Sequence, residues 1–151
     1  GMIIIVFLVF SAAFDLKYMI LPDFSTVILI GCSVVLILVG AIHESPLHFG
    51  LAAIGASGFL GILNLITKGK GMGLGDVKLA IFMGLFLGGE KTILAFYIAF
   101  IAGALISLSL MIFRRANRKS LIAFGPFLIL GTFVSWFIGD NIIKFLISNF
   151  W

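Results

Sequence analysis

Residues 71–79 read GMGLGDVKL, a glycine-dense turn that ends in an aspartate and continues directly into an apolar segment. Gly73 and Gly75 permit unusual backbone angles and the close approach of another chain. Asp76 follows them in a chain that is 62% hydrophobic. An ionisable residue inside a membrane segment is costly and usually has a function, so this turn is the starting point for both the fold and the candidate site.

The composition predicts a membrane protein. Only 11% of the 151 residues are charged, whereas a soluble domain has roughly a quarter. A membrane-spanning helix needs about 20 apolar residues, and no polar stretch here is long enough to fold a soluble domain. The sequence therefore predicts an all-α polytopic protein with about six transmembrane helices and short loops, forming a single domain over residues 1–151 in the lipid bilayer.

The predicted spans follow the apolar runs and the breaks between them: residues 3–19, 27–42, 49–67, 77–87, 92–113 and 126–147. Pro22 ends the first span because the residue before a proline disfavours helix. Asp15 then lies in the last turn or two of that helix, near a membrane face. The fourth span covers only ~18 Å of a ~30 Å hydrocarbon core. Asp76 therefore either starts a short helix below the membrane face or is shielded by neighbouring helices.

Two local features suggest how the helices begin and pack. Asp23, Ser25 or Thr26 is expected to cap the second helix, because each side chain offers an oxygen to free N–H groups. Small residues allow close contact between helices in lipid, and this favours close packing for the glycines of the third span: Gly50, Gly55, Gly58 and Gly61.

The basic residues are distributed unevenly between the loops. Six spans place eight of them on one side, namely Lys17, Lys68, Lys70, Lys78, Arg114, Arg115, Arg118 and Lys119, against Lys91 and Lys144 on the other. The positive-inside rule makes the first side cytoplasmic. Both termini are then on the outer side of the inner (plasma) membrane, and Asp15 and Asp76 share the cytoplasmic face. The net charge of +4 reflects these loops and does not indicate binding to nucleic acid.

Two carboxylates at one membrane face favour hydrolysis of a peptide bond. Such groups do not both ionise easily when a few ångströms apart. The ionised partner takes a proton from water, and the protonated partner donates to the peptide carbonyl. No serine or cysteine nucleophile with a histidine base is visible, since both histidines lie in the opposite loop. The pattern predicts an aspartic peptidase that needs no cofactor and no metal.

Other interpretations of these residues remain open at this point. Asp76 is alternatively a helix cap, and Asp15 a surface acid paired with Lys17 or Lys78; those lysines otherwise influence which acid keeps the proton. The histidine-containing loop, residues 43–48, invites a metal hypothesis. A metal site needs three or four converging ligands, and a six-residue loop with a central proline favours none.

Two other classes of protein also fit the composition. A small proton- or cation-coupled transporter would use the same acids, although acids confined to one face disfavour a path through the membrane. A structural assembly subunit without catalysis would not depend on the acids at all.

Three segments resemble the motifs of type IV prepilin peptidases. Residues 15–23, DLKYMILPD, resemble that family's Asp-x6-Pro-Asp/Asn signature, and residues 73–79, GLGDVKL, resemble its Gly-x-Gly-Asp-(Val/Ile)-Lys-Leu signature. Residues 124–128, FGPFL, with Gly131, resemble its Phe-Gly-Pro-Phe/Ala-Leu segment. The resemblance implies an aspartic membrane endopeptidase of type IV pilus or related secretion systems. It would remove the short basic leader of prepilin-like proteins at the cytoplasmic face, cutting after a glycine.

The resemblance also assigns residues and a substrate. The family's catalytic acids map onto Asp15 and Asp76, while the residues expected to shape the site or bind substrate are Gly73, Gly75, Lys78, Pro22 and Asp23. The partner is a prepilin-like protein with an N-terminal basic leader and an apolar helix. Because the loops of this face are basic, anionic lipid headgroups are expected to bind them, and Asp23 is the expected contact for the leader.

One departure from the family pattern concerns cysteine. Long members carry an N-terminal cytoplasmic region with paired cysteines and also N-methylate the new terminus. This sequence shows no such region, and Cys32 is its single cysteine. It resembles the short, peptidase-only members, and no methyltransferase activity is expected.

Overall fold

The computed structural model describes residues 2–18, 21–39, 45–69, 73–112 and 124–150. Within these ranges the chain forms six α-helices and no strand: α1 Met2–Tyr18, α2 Asp23–Leu38, α3 Pro46–Ile66, α4 Leu74–Leu87, α5 Gly89–Ile112 and α6 Gly125–Phe150. The prediction of an all-α fold with about six helices is confirmed.

Three of the helices are long and apolar enough to cross a membrane. The spans are Leu47–Ile66 in α3, Gly89–Leu110 in α5 and Gly125–Asn149 in α6, and α2 is a shorter apolar helix. Large apolar side chains such as Leu51, Ile54 and Ile93 are exposed on the outer faces of these helices. A lipid environment requires that the backbone hydrogen bonds form within the spanning segments, as they do in helices. The chain is a polytopic helical membrane protein, as predicted.

The short helix α4 lies at the centre of the bundle. It has 14 residues, and its buried members are Asp76, Leu79, Ala80, Phe82, Met83, Gly84 and Leu87. It packs against α2, α3, α5 and α6. Because protein surrounds α4 on several sides, it does not need the length of a lipid-exposed span. Asp76 thus starts a short helix and is also shielded by its neighbours.

Close helix contact comes from glycines other than those expected. A Cβ at Gly84 of α4 would overlap the backbone of Ala53 in α3, and one at Gly131 would overlap the carbonyl oxygen of Ala95. The close packing predicted for α3 is made by its alanines and not by its glycines. Gly84 lies against the backbone of Ala52 and Ala53, whereas a Cβ on any of the four glycines would meet nothing within 4 Å: Gly50, Gly55, Gly58 and Gly61. Those glycines face outward, and the close approach is made by α4 and α6.

The start of α2 also differs from the prediction. The helix begins at Asp23, and its N-cap is Pro22, with φ −69° and ψ 121° and no side-chain cap hydrogen bond. The hydroxyls of Ser25 and Thr26 donate instead to the Pro22 carbonyl at 2.9 and 3.3 Å. The prediction that Asp23 or a neighbouring hydroxyl caps α2 is therefore wrong. Proline takes the cap position because its fixed φ already suits it.

The helices alternate in direction, so one end of the bundle holds the C-terminus of α1 and the N-termini of α2, α4 and α6. We call this the aspartate end. The C-terminus of α3 also lies there, while the N-terminus of α5 lies at the opposite end, where Lys91 pairs with Asp140 at 2.8 Å. The predicted basic loop 114–119 and the residues His43 and Glu44 lie outside the described residues.

Candidate active site

The structure brings Asp15 and Asp76 to the same end of the bundle. Asp15 lies in the last turn of α1 and Asp76 in the first turn of α4. Each is only 5% exposed, and Leu21 packs against glycines beside both of them. Two buried acids from different helices therefore lie at the same end of the bundle, and their role as a catalytic pair stays a prediction.

The glycine turn positions the Asp76 carboxylate. The backbone N–H of Gly73 donates to Asp76 Oδ2 at 3.1 Å, and the N–H of Asp76 donates to the Gly73 carbonyl at 3.2 Å. The first bond is one half of a capping box, in which the third residue of the helix reaches back to the N-cap N–H, so Asp76 does cap the helix as its alternative interpretation held. Its Oδ1 accepts no hydrogen bond from any residue that the structure describes. One oxygen fixes the turn, and the other is left for water or substrate.

The N-terminus of α6 positions the Asp15 carboxylate. Gly125, the first residue of α6, lies directly against this carboxylate, since a Cβ on Gly125 would overlap Asp15 Oδ2. The first N–H groups of a helix lack partners within the helix and favour a negative charge. The missing side chain of Gly125 thus gives the Asp15 carboxylate the space to reach the start of α6.

Asp15 is not paired with either lysine that the sequence offered. Lys78 pairs with Asp23, and the Lys17 ammonium lies 5.3 Å from the centre of the Tyr18 ring. The interpretation of Asp15 as a surface acid in a lysine ion pair is therefore wrong, since the carboxylate is buried against backbone.

Leu21 joins the segments that carry the two acids. It is 7% exposed, and a Cβ on Gly75 would lie 2.8 Å from Leu21 Cβ. A Cβ on Gly125 would lie 3.3 Å from Leu21 Cδ1. The absence of a side chain at both glycines lets Leu21 pack between the segment before Asp76 and the segment beside Asp15. Sequence analysis missed Leu21 because no local pattern marks it.

Pro22 and Asp23 follow Leu21 at the rim of the site. The Lys78 ammonium contacts Asp23 Oδ1 at 2.6 Å, and both side chains are substantially exposed. The predicted motif residues on α2 and α4 are therefore in direct contact, although neither Lys78 nor Asp23 touches the buried acids through a described hydrogen bond.

A hydroxyl pair lies one helical turn before Asp15. Ser11 Oγ and Ser25 Oγ are 2.7 Å apart and buried, and Ser25 donates to the Pro22 carbonyl. Because Ser25 uses its only proton there, Ser11 must be the donor between the two. This bond connects α1 to α2. In the sequence, the feature that indicates it is a serine four residues before Asp15 in an apolar run.

No group of three or more histidine, cysteine, aspartate or glutamate side chains suited to a metal occurs in the described part of the chain. His48 lies at the opposite end, where its Nε2 accepts the N–H of Gly89 at 3.3 Å.

An open groove of about 490 Å³ lies beside Gly73 at the aspartate end. Its lining residues are Asn64, Leu65, Lys68, Gly69, Gly73 and Leu74.

Comparison with known proteins assigns the chain to a family of peptidases. Residues 2–108, which include both aspartates, match the model of the type IV leader peptidase family. The chain belongs to that family, and the resemblance to prepilin peptidases is confirmed. Gly125 lies outside the matched residues.

The individual relatives are named prepilin leader peptidase/N-methyltransferase. The protein of Aeromonas hydrophila is 30% identical over 143 residues, covering 90% of this chain and 48% of the relative. That of Bacillus subtilis is 28% identical over 152 residues, covering 98% and 59%, and that of Legionella pneumophila is 29% identical over 141 residues, covering 89% and 48%. The chain spans about half the length of the curated relatives it matches. No solved structure matches the chain significantly.

Proposed function

We propose that this protein is an aspartic endopeptidase in which Asp15 and Asp76 act together to remove the leader peptide of a prepilin-like protein. The observation that carries the proposal is the meeting of two buried carboxylates, from separate helices, at one end of the bundle. Membership of the leader peptidase family supports the same reaction. The proposed chemistry uses the two carboxylates and water.

The reaction follows from the arrangement of the acids. One carboxylate is ionised and takes a proton from a water molecule, whose oxygen attacks the carbonyl carbon of the scissile peptide. The protonated partner donates its proton to the carbonyl oxygen. Collapse of the tetrahedral intermediate breaks the C–N bond: the acid that gained a proton from water delivers it to the leaving nitrogen, and its partner takes back a proton from a hydroxyl of the intermediate, which restores both groups. The Gly73 N–H holds the Asp76 carboxylate in place during these transfers, and the Asp15 carboxylate is packed against Gly125.

The substrate is proposed to approach along the glycine turn at the aspartate end. Gly73 carries no side chain that would obstruct an extended peptide, and it lines the open groove, while Gly75 makes room for Leu21 beside Asp76. The apolar helix of the prepilin lies in the lipid beside the bundle, and its basic leader reaches the site from the water. Cleavage then follows a glycine in the substrate.

The location of the site follows from the charge distribution in the sequence. The aspartate end carries the basic loops, so it is proposed to face the cytoplasm from the inner membrane. Both termini then lie on the outer side. The system served is a type IV pilus or a related secretion filament.

Substitution of each aspartate tests the reaction. Asp15→Asn and Asp76→Asn keep the size of each side chain but remove its acid–base function. Each is expected to lower kcat for cleavage of a prepilin leader by about 10²–10⁴-fold. The measurement is cleavage of purified prepilin by the full chain, with sequencing of the new N-terminus.

Asp140→Asn is the matched control, because Asp140 is an exposed acid at the opposite end of the bundle. It is expected to cleave at the rate of the unmodified protein. Unchanged cleavage by a folded Asp15→Asn or Asp76→Asn variant would contradict the proposal that the two aspartates act together.

A further inference from the structure

We propose that Asp23 is the docking point for a cationic side chain of the substrate peptide and that Lys78 occupies this point until the substrate displaces it. The inference rests on the proposed function for its substrate, a peptide cut at the aspartate end. It concerns binding and selectivity, and it assigns neither residue a part in bond cleavage.

The three acids at the aspartate end differ in exposure, and this difference suggests which of them can bind a cationic side chain. Asp15 and Asp76 are each 5% exposed, so neither is accessible to a long cationic side chain arriving from water. The side chain of Asp23 is 71% exposed, and it is the one exposed carboxylate at the aspartate end within the described ranges. A cationic residue of a substrate therefore has Asp23 as its available partner there.

The Asp23–Lys78 pair is built so that the cation can be exchanged. Lys78 Nζ contacts Oδ1 at 2.6 Å, whereas Oδ2 accepts no hydrogen bond from any described residue. An incoming lysine or arginine can contact Oδ2 before Lys78 leaves Oδ1. The charge of Asp23 is then matched throughout the exchange, and a neutral peptide segment has no means of displacing Lys78.

The pair also lies close to the site of cleavage. Asp23 follows Leu21 by two residues, and Leu21 packs against Gly75, which precedes Asp76, and against Gly125, which contacts Asp15. Lys78 lies two residues after Asp76 in the first turns of α4. A peptide with its cation on Asp23 therefore has its neighbouring backbone beside the two acids.

The energetics favour exchange over a structural role. The pair joins residues 55 positions apart, yet both side chains are exposed, at 46% and 71%. Exposed ion pairs contribute little to stability, so displacing Lys78 costs the fold little. Because the Asp23–Lys78 pair is weak, Lys78 competes only modestly with the substrate for Asp23. Its presence should reduce the affinity for a cationic peptide by roughly two- to fivefold.

The test compares two labelled peptides that differ only in charge. One is a prepilin leader with its lysines and the start of its apolar helix, and the other has glutamine in place of each lysine. Equilibrium binding and cleavage are both measured on the purified full chain. The proteins are the unmodified chain, Asp23→Asn, Lys78→Gln and the double variant. Lys68→Gln is the control, because it removes one positive charge from the same end without touching the pair.

The expected results separate the two residues. Asp23→Asn weakens binding of the lysine peptide by roughly fivefold or more and leaves binding of the glutamine peptide unchanged. Lys78→Gln tightens binding of the lysine peptide by roughly two- to fivefold, more than Lys68→Gln does. In the double variant, the effect of Lys78→Gln falls to that of the control.

Several outcomes would overturn the inference. These are an equal effect of Asp23→Asn on both peptides, a Lys78→Gln variant no tighter than the Lys68→Gln control, or no binding of either peptide by the unmodified chain. If binding depends on Asp23 but neither peptide is cut, the docking point stands and the proposed peptidase function fails. If both peptides are cut regardless of Asp23, the function stands and the docking point fails.

Discussion

Gly125 shows how a single residue can limit the geometry of the site. A side chain there would overlap Asp15 Oδ2 and crowd Leu21. The residue therefore has to be small so that the carboxylate can approach the start of α6. Its importance comes from a contact with α1 that no local pattern in the chain encodes.

Gly125→Ala is expected to displace the Asp15 carboxylate while the bundle still folds. A misplacement of about 1 Å in a catalytic group can reduce the rate by about 10²-fold, so we predict a loss of kcat of that order. Gly50→Ala is the matched control, because a Cβ there meets nothing within 4 Å, and it should leave kcat unchanged. Leader cleavage measured at saturating substrate checks the prediction, and full activity in Gly125→Ala would contradict it.

At the scale of residues, the sequence predicted the acids but only part of their surroundings. Asp15 and Asp76 could be found because ionisable residues stand out in apolar segments. The pairing of Lys78 with Asp23 joins positions 55 apart, whereas the sequence offered Lys78 only as an alternative partner of Asp15. Such contacts depend on how helices pack, which spacing along the chain does not determine.

Gly84 determines how closely the central helix α4 approaches its neighbour α3. In most helix interiors, replacing glycine by alanine stabilises the helix by roughly 0.5–1 kcal/mol. At Gly84 the new Cβ would overlap the backbone of Ala53, and backbone cannot move aside as a flexible side chain can. The packing cost should therefore exceed the gain in helix propensity.

We predict that Gly84→Ala lowers the free energy of unfolding by about 1–3 kcal/mol, the usual cost of overpacking a well-packed core. Gly58→Ala in α3 faces open space and should be neutral or slightly stabilising. Thermal unfolding of both variants in the same detergent gives the comparison. Equal unfolding temperatures for the two would mean that α3 and α4 are not in close contact at Gly84.

At the scale of elements, hydrophobic runs predicted the number of helices and the shortness of α4. The local signals at helix ends were less reliable. Pro22, rather than Asp23, takes the cap position of α2. The glycines of α3 indicated a close helix contact that is instead made by Gly84 on the partner helix. A run of small residues shows that close packing is possible, but not which face of which helix uses it.

The alternation of six helices brings the three motif segments together at the scale of the whole molecule. Leu21 precedes α2, while Gly75 and Gly125 lie in the first turns of α4 and α6, and the three residues meet beside the two acids. An odd number of crossings between α1 and α4 would have put Asp15 and Asp76 at opposite ends. The count of apolar runs was therefore the part of the sequence that predicted the site most directly.

The proximity of Asp15 and Asp76 is the basis of the proposed reaction, and cysteine cross-linking measures it most directly. Asp15→Cys and Asp76→Cys are combined in a chain carrying Cys32→Ser and treated with a short thiol cross-linker, and the linked peptides are identified by mass spectrometry. Each single cysteine is first shown to react with a monofunctional reagent. We predict a link between positions 15 and 76 and none when Asp15→Cys is combined with Asp140→Cys. The absence of the first link in a folded protein whose two cysteines both react, or the formation of the second, would contradict the account.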